Sequence, residues 1–103
     1  MTKADILTIL KSDLDIALTS TSKDDLLNNL IDFSQAAITR EGITFSDVLT
    51  AEEGMLVEMY AAFLFRKRKY QESNSNGSVT LPRSLRYQLN NVLLSQKAAQ
   101  DEQ

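Results

Sequence analysis

The chain has 103 residues, 43% hydrophobic and 24% charged, with three Gly, one Pro and no Cys, His or Trp. A chain of this length buries roughly 60–65% of its unfolded surface, enough for one modest core, and residues 1–103 are read as a single domain. Without Cys or His there is no disulfide framework, no zinc or iron–sulfur site of the usual kind, and no imidazole or thiolate for general-base or nucleophilic chemistry.

The formal net charge of −3 conceals a segregation. Residues 1–59 carry four Lys or Arg (Lys3, Lys11, Lys23, Arg40) against eleven Asp or Glu, a net of −7, whereas residues 60–100 carry seven against one, a net of +6. Such a split suits docking between copies, acidic face to basic face, or a basic surface turned toward a polyanion. It is also what two solvated helix surfaces look like.

The opening Met1-Thr2-Lys3-Ala4-Asp5 lacks the basic and apolar regions of a secretory signal, so a cytosolic product is expected. Thr2 is placed to cap a first helix with the apolar positions Ile6, Leu7, Ile9 and Leu10, ending at residues 11–13, and Asp5 lies near its positive end. Residues 13–18 alternate polar and apolar only briefly before Thr19-Ser20-Thr21-Ser22 dissolves into loop, and no strand is assigned. Ser22 is the expected N-cap of a second helix, whose stripe is Leu26, Leu27, Leu30, Ile31, Ala37 and Ile38 and whose end is marked by Gly42 in a left-handed C′ position. A loop with Ile43-Thr44-Phe45 follows, and then Thr50-Ala51-Glu52-Glu53 forms a capping box.

The third helix is predicted to be long, central and apolar. Met55, Met59 and Phe63 with Leu56, Tyr60 and Leu64 make one stripe, and Val57, Ala61 and Phe65 a second, so both sides need covering, by neighbours within the domain or by another subunit. The apolar stretch 55–65, interrupted by Glu58, is about half the ~20 residues that span a bilayer. Arg66, Lys67, Arg68 and Lys69 are expected to end the helix, where cations gain roughly 0.3–1 kcal/mol each from the macrodipole. Consecutive helical residues point about 100° apart, so these charges surround the helix and suit phosphate or carboxylate contact better than base readout. A solvated helix end is the plain alternative.

Residues 71–80, with Asn74-Ser75-Asn76-Gly77-Ser78, are predicted to be a mobile polar loop in which Asn76-Gly77 can close a small hairpin. Pro82 then opens a fourth helix with the stripe Leu85, Leu89, Val92 and Leu93, running to about Lys97 and fraying from Ala98 onward. Its other sides carry Arg83, Arg86, Tyr87, Asn90, Asn91 and Leu94, a set with the character of a partner-binding patch. The expected fold class is all-α: a small four-helix domain with a long central apolar helix and a mobile polar loop before the last helix.

No catalytic constellation emerges, and no catalytic, cofactor-binding or metal-binding residue is assigned. Asp24-Asp25 and Glu52-Glu53 sit at helix starts, where the dipole explains them. Asp13 and Asp15 lack the further ligands and the glycine of a calcium loop, and Gly42, Gly54 and Gly77 are too far apart for a phosphate loop. The chain is expected not to be an enzyme.

The ending Leu81-Pro82-Arg83-Ser84-Leu85-Arg86-Tyr87-Gln88-Leu89-Asn90-Asn91-Val92-Leu93-Leu94-Ser95-Gln96-Lys97, preceded by the apolar helix and the run Arg66-Lys67-Arg68-Lys69-Tyr70, resembles the head-tail connector proteins of long-tailed bacteriophages. These adaptors are also called head-completion or DNA-packaging proteins. The likeness covers most of the chain, and its most specific piece is Leu-Pro-Arg-x-Leu-Arg-Tyr-x-Leu-Asn-Asn.

That resemblance implies a structural virion protein, made in the bacterial host cytoplasm and using no cofactor. It implies a ring, usually a dodecamer in the virion although members can be monomers when free, docked beneath the portal protein after DNA packaging. The ring lengthens the DNA channel, lets DNA pass without sequence recognition, and offers a platform to a stopper or tail-completion protein; no membrane is involved. On this view Arg83, Arg86, Tyr87, Asn90 and Leu94 are the candidate portal-binding residues. Arg66, Lys67, Arg68 and Lys69 meet either channel DNA or, preferably, an acidic neighbour in the ring, since a dense basic lining would hold phosphates. Residues 47–53 and 19–25 are the candidate acidic counterpart. Two alternatives stand beside this reading. One is a small helical DNA-binding regulator with the fourth helix as recognition helix, disfavoured by the net acidic composition; the other is a generic protein-interaction module.

Overall fold

Thr2 and Asp5 open the first helix reciprocally. The Thr2 hydroxyl accepts from the Asp5 N–H at 3.2 Å, and the Asp5 carboxylate accepts from the Thr2 N–H at 3.0 Å. These bonds hold the Asp5 carboxyl below the usual carboxylate range. The computed structural model describes residues 1–73 and 81–101, except for the side chains of 69–73 and 99–101. Its elements are α1 (Lys3–Asp13), α2 (Asp24–Arg40), α3 (Ala51–Ser73) and α4 (Arg83–Asp101), with no strand among the described residues. The expected all-α, four-helix fold class is therefore shown.

The polar–apolar alternation after α1 is a helix stop. Ile16 N–H donates to Lys11 C=O at 2.8 Å and Asp15 N–H to Ser12 C=O at 3.3 Å, the paired bonds of a Schellman motif, and Asp15 has the left-handed φ of 58° that such a motif requires. The second helix departs from expectation at its start. Its N-cap is Lys23, with no side-chain cap bond, while the Ser22 hydroxyl lies 3.4 Å from that of Ser20. A turn instead satisfies the Asp24 amide from the Thr21 carbonyl at 3.2 Å. Gly42 closes α2 as expected, with φ 110° and its N–H on Thr39 C=O at 3.0 Å. The residue after it, Ile43, is 1% exposed and belongs to the core.

The capping box of α3 forms as read. Glu53 N–H donates to the Thr50 hydroxyl at 3.1 Å and Thr50 N–H to Glu53 Oε1 at 2.9 Å, while Glu53 Oε2 accepts from Ser46 N–H at 3.2 Å. One buried carboxylate thus fixes both the helix start and the loop before it. The 23-residue α3 packs against α1, α2 and α4, and α1 packs also on α2. Its deepest residues are Leu56, Val57, Ala61, Ala62 and Phe65, so the second predicted stripe is buried; the first is only partly so, with Met59 and Phe63 half-buried and Met55 40% exposed. Gly54 lies against the Met1 side chain, which would have to shift to admit a Cβ there.

Helix α3 does not end at the basic run. It continues to Ser73, because Lys, Tyr, Gln and Glu propagate helix and no Gly or Pro interrupts before Gly77. The last turn therefore contains none of those cations, and their placement is not a dipole cap. Residues 71–73 of the predicted loop are helical, and the remainder, with the Asn76-Gly77 hairpin, lies outside the described residues. Pro82 stands one position ahead of α4, its carbonyl accepting from Arg86 N–H at 3.0 Å, and α4 runs to Asp101, past the expected end, on the helix-forming Ala98, Ala99 and Gln100. Leu85, Leu89 and Val92 are buried as the stripe required.

Candidate functional site

Spacings of four, three and four place Arg83, Tyr87, Asn90 and Leu94 along one face of α4, with Arg86 at its edge. Because Leu85, Leu89 and Val92 occupy the inner face, these side chains turn outward. Tyr87 is 61% and Leu94 64% exposed, large values for an aromatic and a leucine. Leu81, Pro82, Arg83, Arg86, Tyr87 and Asn90 frame an open groove of about 670 Å³. Arg86 is steadied by Glu41 at 3.6 Å across the α2–α4 gap, an exposed pair of small energetic value that still limits where the guanidinium points. All five residues assigned to the fourth-helix patch thus share one surface.

The basic run is divided. Arg66 donates to the Asp13 carbonyl at 3.2 Å and to Asp13 Oδ1 at 3.0 Å, so its charge is engaged within the chain. Lys67 is half-buried and Arg68 exposed, and the Lys69 side chain lies outside the described residues. The acidic segments are divided too: Glu53 is consumed by capping, and Asp24 pairs with Lys11 at 2.5 Å. Asp25, Asp47 and Glu52 remain on the surface.

Sequence reasoning missed two charged residues that the fold buries. Lys11 is 5% exposed, and its ammonium donates to Ser20 C=O at 2.7 Å besides pairing with Asp24, tying α1 to the loop and to the first turn of α2. The available signal was its position one turn beyond Leu7, which continues the apolar face. Glu58 is 2% exposed on α3 and shares a hydrogen bond with Asp13 of α1. Burial, then the Asp13 hydrogen bond and charge, push its carboxyl up to about 8, with Arg66 opposing. Asp13 moves the other way, lowered first by the Glu58 hydrogen bond and then, against an opposing effect of burial, by Arg66. The two carboxyls hold one proton between them near neutrality, with Glu58 as donor and Asp13 as acceptor. Its signal in the sequence was a single acid inside the run 55–65.

Glu58 and Asp13 line a cleft of about 650 Å³ between α1 and α3, walled by Ile9, Leu18, Met55 and Met59. No helix among the described residues is long and apolar enough to cross a membrane. The fold defines the chain as a small all-α domain with an outward helix face. Comparison with family models, with curated proteins and with solved structures returns no match.

Proposed function

We propose that this chain is a structural adaptor of a bacteriophage head-tail connector, which assembles as a ring beneath the portal protein and presents a platform to a stopper or tail-completion protein. The observation that carries the reading is the outer face of α4: a segment resembling the connector family supplies Arg83, Arg86, Tyr87, Asn90 and Leu94 to one exposed surface. Exposed Tyr with flanking Arg is the composition of an interface anchor, and neither residue type is needed there for the core. The charge split between residues 1–59 and 60–100 further supports head-to-tail contact between copies, since a heterologous contact joins unlike surfaces and closes into a ring when the rotation permits. In this role the chain works without catalysis or cofactor, in the virion, and DNA passes without being read.

Co-sedimentation with portal rings, followed by counting copies per ring and imaging the complex by electron microscopy, tests the proposal. A stable stack with one copy per portal subunit is expected, and alanine at Arg83, Arg86 and Tyr87 together is expected to abolish it while leaving helicity intact. Failure of folded wild-type protein to associate with intact portals overturns the reading. Association unaffected by the triple variant overturns the assignment of α4.

A further inference from the structure

The groove at the start of α4 is rich in donors that the chain itself does not use. Arg83 makes no ion pair or side-chain hydrogen bond with any described residue, and neither does the side chain of Tyr87 or Asn90. Arg86 stands 3.6 Å from Glu41, beyond hydrogen-bond reach, so that pair is Coulombic and leaves the guanidinium N–H groups unspent. No carboxylate lines the groove, and two guanidiniums against the one neighbouring carboxylate of Glu41 leave a local excess of one positive charge. Spacings of three and four residues place Arg83 beside Arg86 and Tyr87, and Asn90 beside both of the latter, with neighbouring Cβ atoms about 5–6 Å apart.

The lining specifies the occupant. Unspent guanidiniums without a facing acid call for an anionic acceptor, and the planar fork of Arg83 matches a carboxylate through two parallel N–H bonds. A nucleic-acid backbone fits less well, because its closely repeated charges would meet Glu41 beside the groove and the apolar Leu81 and Pro82 along it. A peptide segment uses the whole lining. The Asn90 carboxamide offers a donor and an acceptor side by side to its backbone, and Leu81, Pro82 and the 61% exposed Tyr87 ring offer an apolar bed to an aliphatic side chain. We infer that this groove captures an acidic segment of a protein partner: Arg83 grips an aspartate or glutamate bidentately, Arg86 turns from Glu41 to share it, and a neighbouring aliphatic residue packs on Leu81, Pro82 and Tyr87. Glu41 is then an internal competitor that lowers affinity for the partner's acid. The inference deepens the adaptor reading and rests on it for which protein supplies the acid, whereas the groove chemistry is testable alone.

The test is NMR of labelled full-length protein titrated with the acetylated, amidated peptide Leu-Glu-Ala-Leu-Glu and, separately, with its neutral counterpart Leu-Gln-Ala-Leu-Gln. The glutamate peptide is expected to shift the Arg83 and Arg86 Nε–H signals and the α4 amides near Tyr87 saturably, with affinity roughly tenfold above that of the glutamine peptide. Arg83→Gln, at an exposed position, is expected to lose that preference, and Glu41→Gln to raise affinity for the glutamate peptide roughly two- to fivefold. Lys97→Gln removes an exposed cation farther along α4 and is expected to leave the preference unchanged. Equal binding of the two peptides, no saturable shift, a preference that survives Arg83→Gln, or an equal loss in Lys97→Gln overturns the inference. So does Glu41→Gln with unchanged or weakened affinity. A short DNA duplex binding the same residues more tightly than the glutamate peptide reassigns the groove to a polyanion, and the same shifts on concentrating the unliganded protein assign it to a second copy; both overturn it. Peptide capture without portal co-sedimentation would remove the adaptor reading and keep the groove, and co-sedimentation without an acid preference would do the reverse.

Discussion

The side-chain amide of Gln96 on α4 holds both backbone groups of Thr44: its Oε1 accepts from the Thr44 N–H at 2.8 Å, and its Nε2 donates to the Thr44 C=O at 2.8 Å. A carboxamide presents donor and acceptor side by side, as a strand neighbour would, and here it satisfies a loop residue that no ladder reaches. Its consequence is positional. Helix α4 packs on α3 through one stripe of Leu85, Leu89 and Val92, and this attachment, fifty-two residues away in sequence, joins the Arg86–Glu41 pair in tying it to the end of α2 and the loop that follows.

Gln96→Ala removes both bonds and leaves the Thr44 groups to water. The expected loss is about 1–2 kcal/mol, from two hydrogen bonds at about 1 kcal/mol each in a half-exposed setting. Urea unfolding measures it, and amide exchange is expected to accelerate in α4 more than in α1 or α2. Uniform acceleration through all four helices would show that the bonds do not serve α4 in particular.

Lys11 is the reverse case, a charge whose removal exposes its partner's need. Lys11→Ala strands Asp24 and the Ser20 carbonyl and opens space at a 5% exposed position. Destabilisation of about 2–4 kcal/mol is expected, below the largest values for broken buried pairs because Asp24 retains some contact with solvent. Lys11→Met with Asp24→Asn removes both charges and is expected to cost less than Lys11→Ala alone. A double variant as unstable as the single one would contradict that account.

Asp15 occupies the left-handed region at φ 58°, where a side chain is strained and glycine is not. Asp15→Gly relieves the strain at some cost in unfolded-state entropy, and a net gain of about 0.5 kcal/mol is expected. Asp15→Val, β-branched at the same φ, is expected to lose more than 1 kcal/mol. Thermal denaturation of the two variants, ranked on either side of wild type, is the check.

The Asp13–Glu58 pair makes stability depend on pH in a definite direction. Glu58 keeps its proton in the folded protein to about 8, whereas the unfolded chain releases it near the ordinary glutamate value, which is 4.5. Between those two values the folded state binds more protons, so its stability is fully present below the lower value and falls as pH rises through the upper one, by at most about 1.4 kcal/mol per pH unit. Asp13, lowered in the fold, acts oppositely and only in acid, where protonation removes its contribution. Glu58→Gln preserves a donor to Asp13 and cannot ionise. Its unfolding midpoint is expected to vary less than that of wild type from pH 5 to pH 8 and to exceed it at the alkaline end. A wild-type midpoint independent of pH over that range would contradict the shared proton.

Local signals in this chain were legible because they depend on residues within one turn of each other. Thr2 with Asp5, Thr50 with Glu53, and Gly42 after Arg40 each form in the structure the terminus that their spacing announces. The stripe of Leu85, Leu89 and Val92 likewise fixed which side of α4 turns inward, and so which of Arg83, Arg86, Tyr87, Asn90 and Leu94 turn outward. Ser22 misled because its hydroxyl competes with a backbone carbonyl, and the outcome rests on a turn geometry that side-chain identity does not encode.

What the chain by itself determined, then, was four helices and the faces they hide, since helix formation and amphipathicity are set by neighbours three and four positions away. Only the tertiary structure decided what its charges do. Lys11 is buried because α2 brings Asp24 to it, Arg66 is engaged because α1 ends beside α3, and Glu58 holds its proton because packing removes water from one carboxyl while Asp13 stands next to it. Desolvation and Coulomb interaction depend on distance in space, and residues 13, 58 and 66 acquire theirs only when the helices pack.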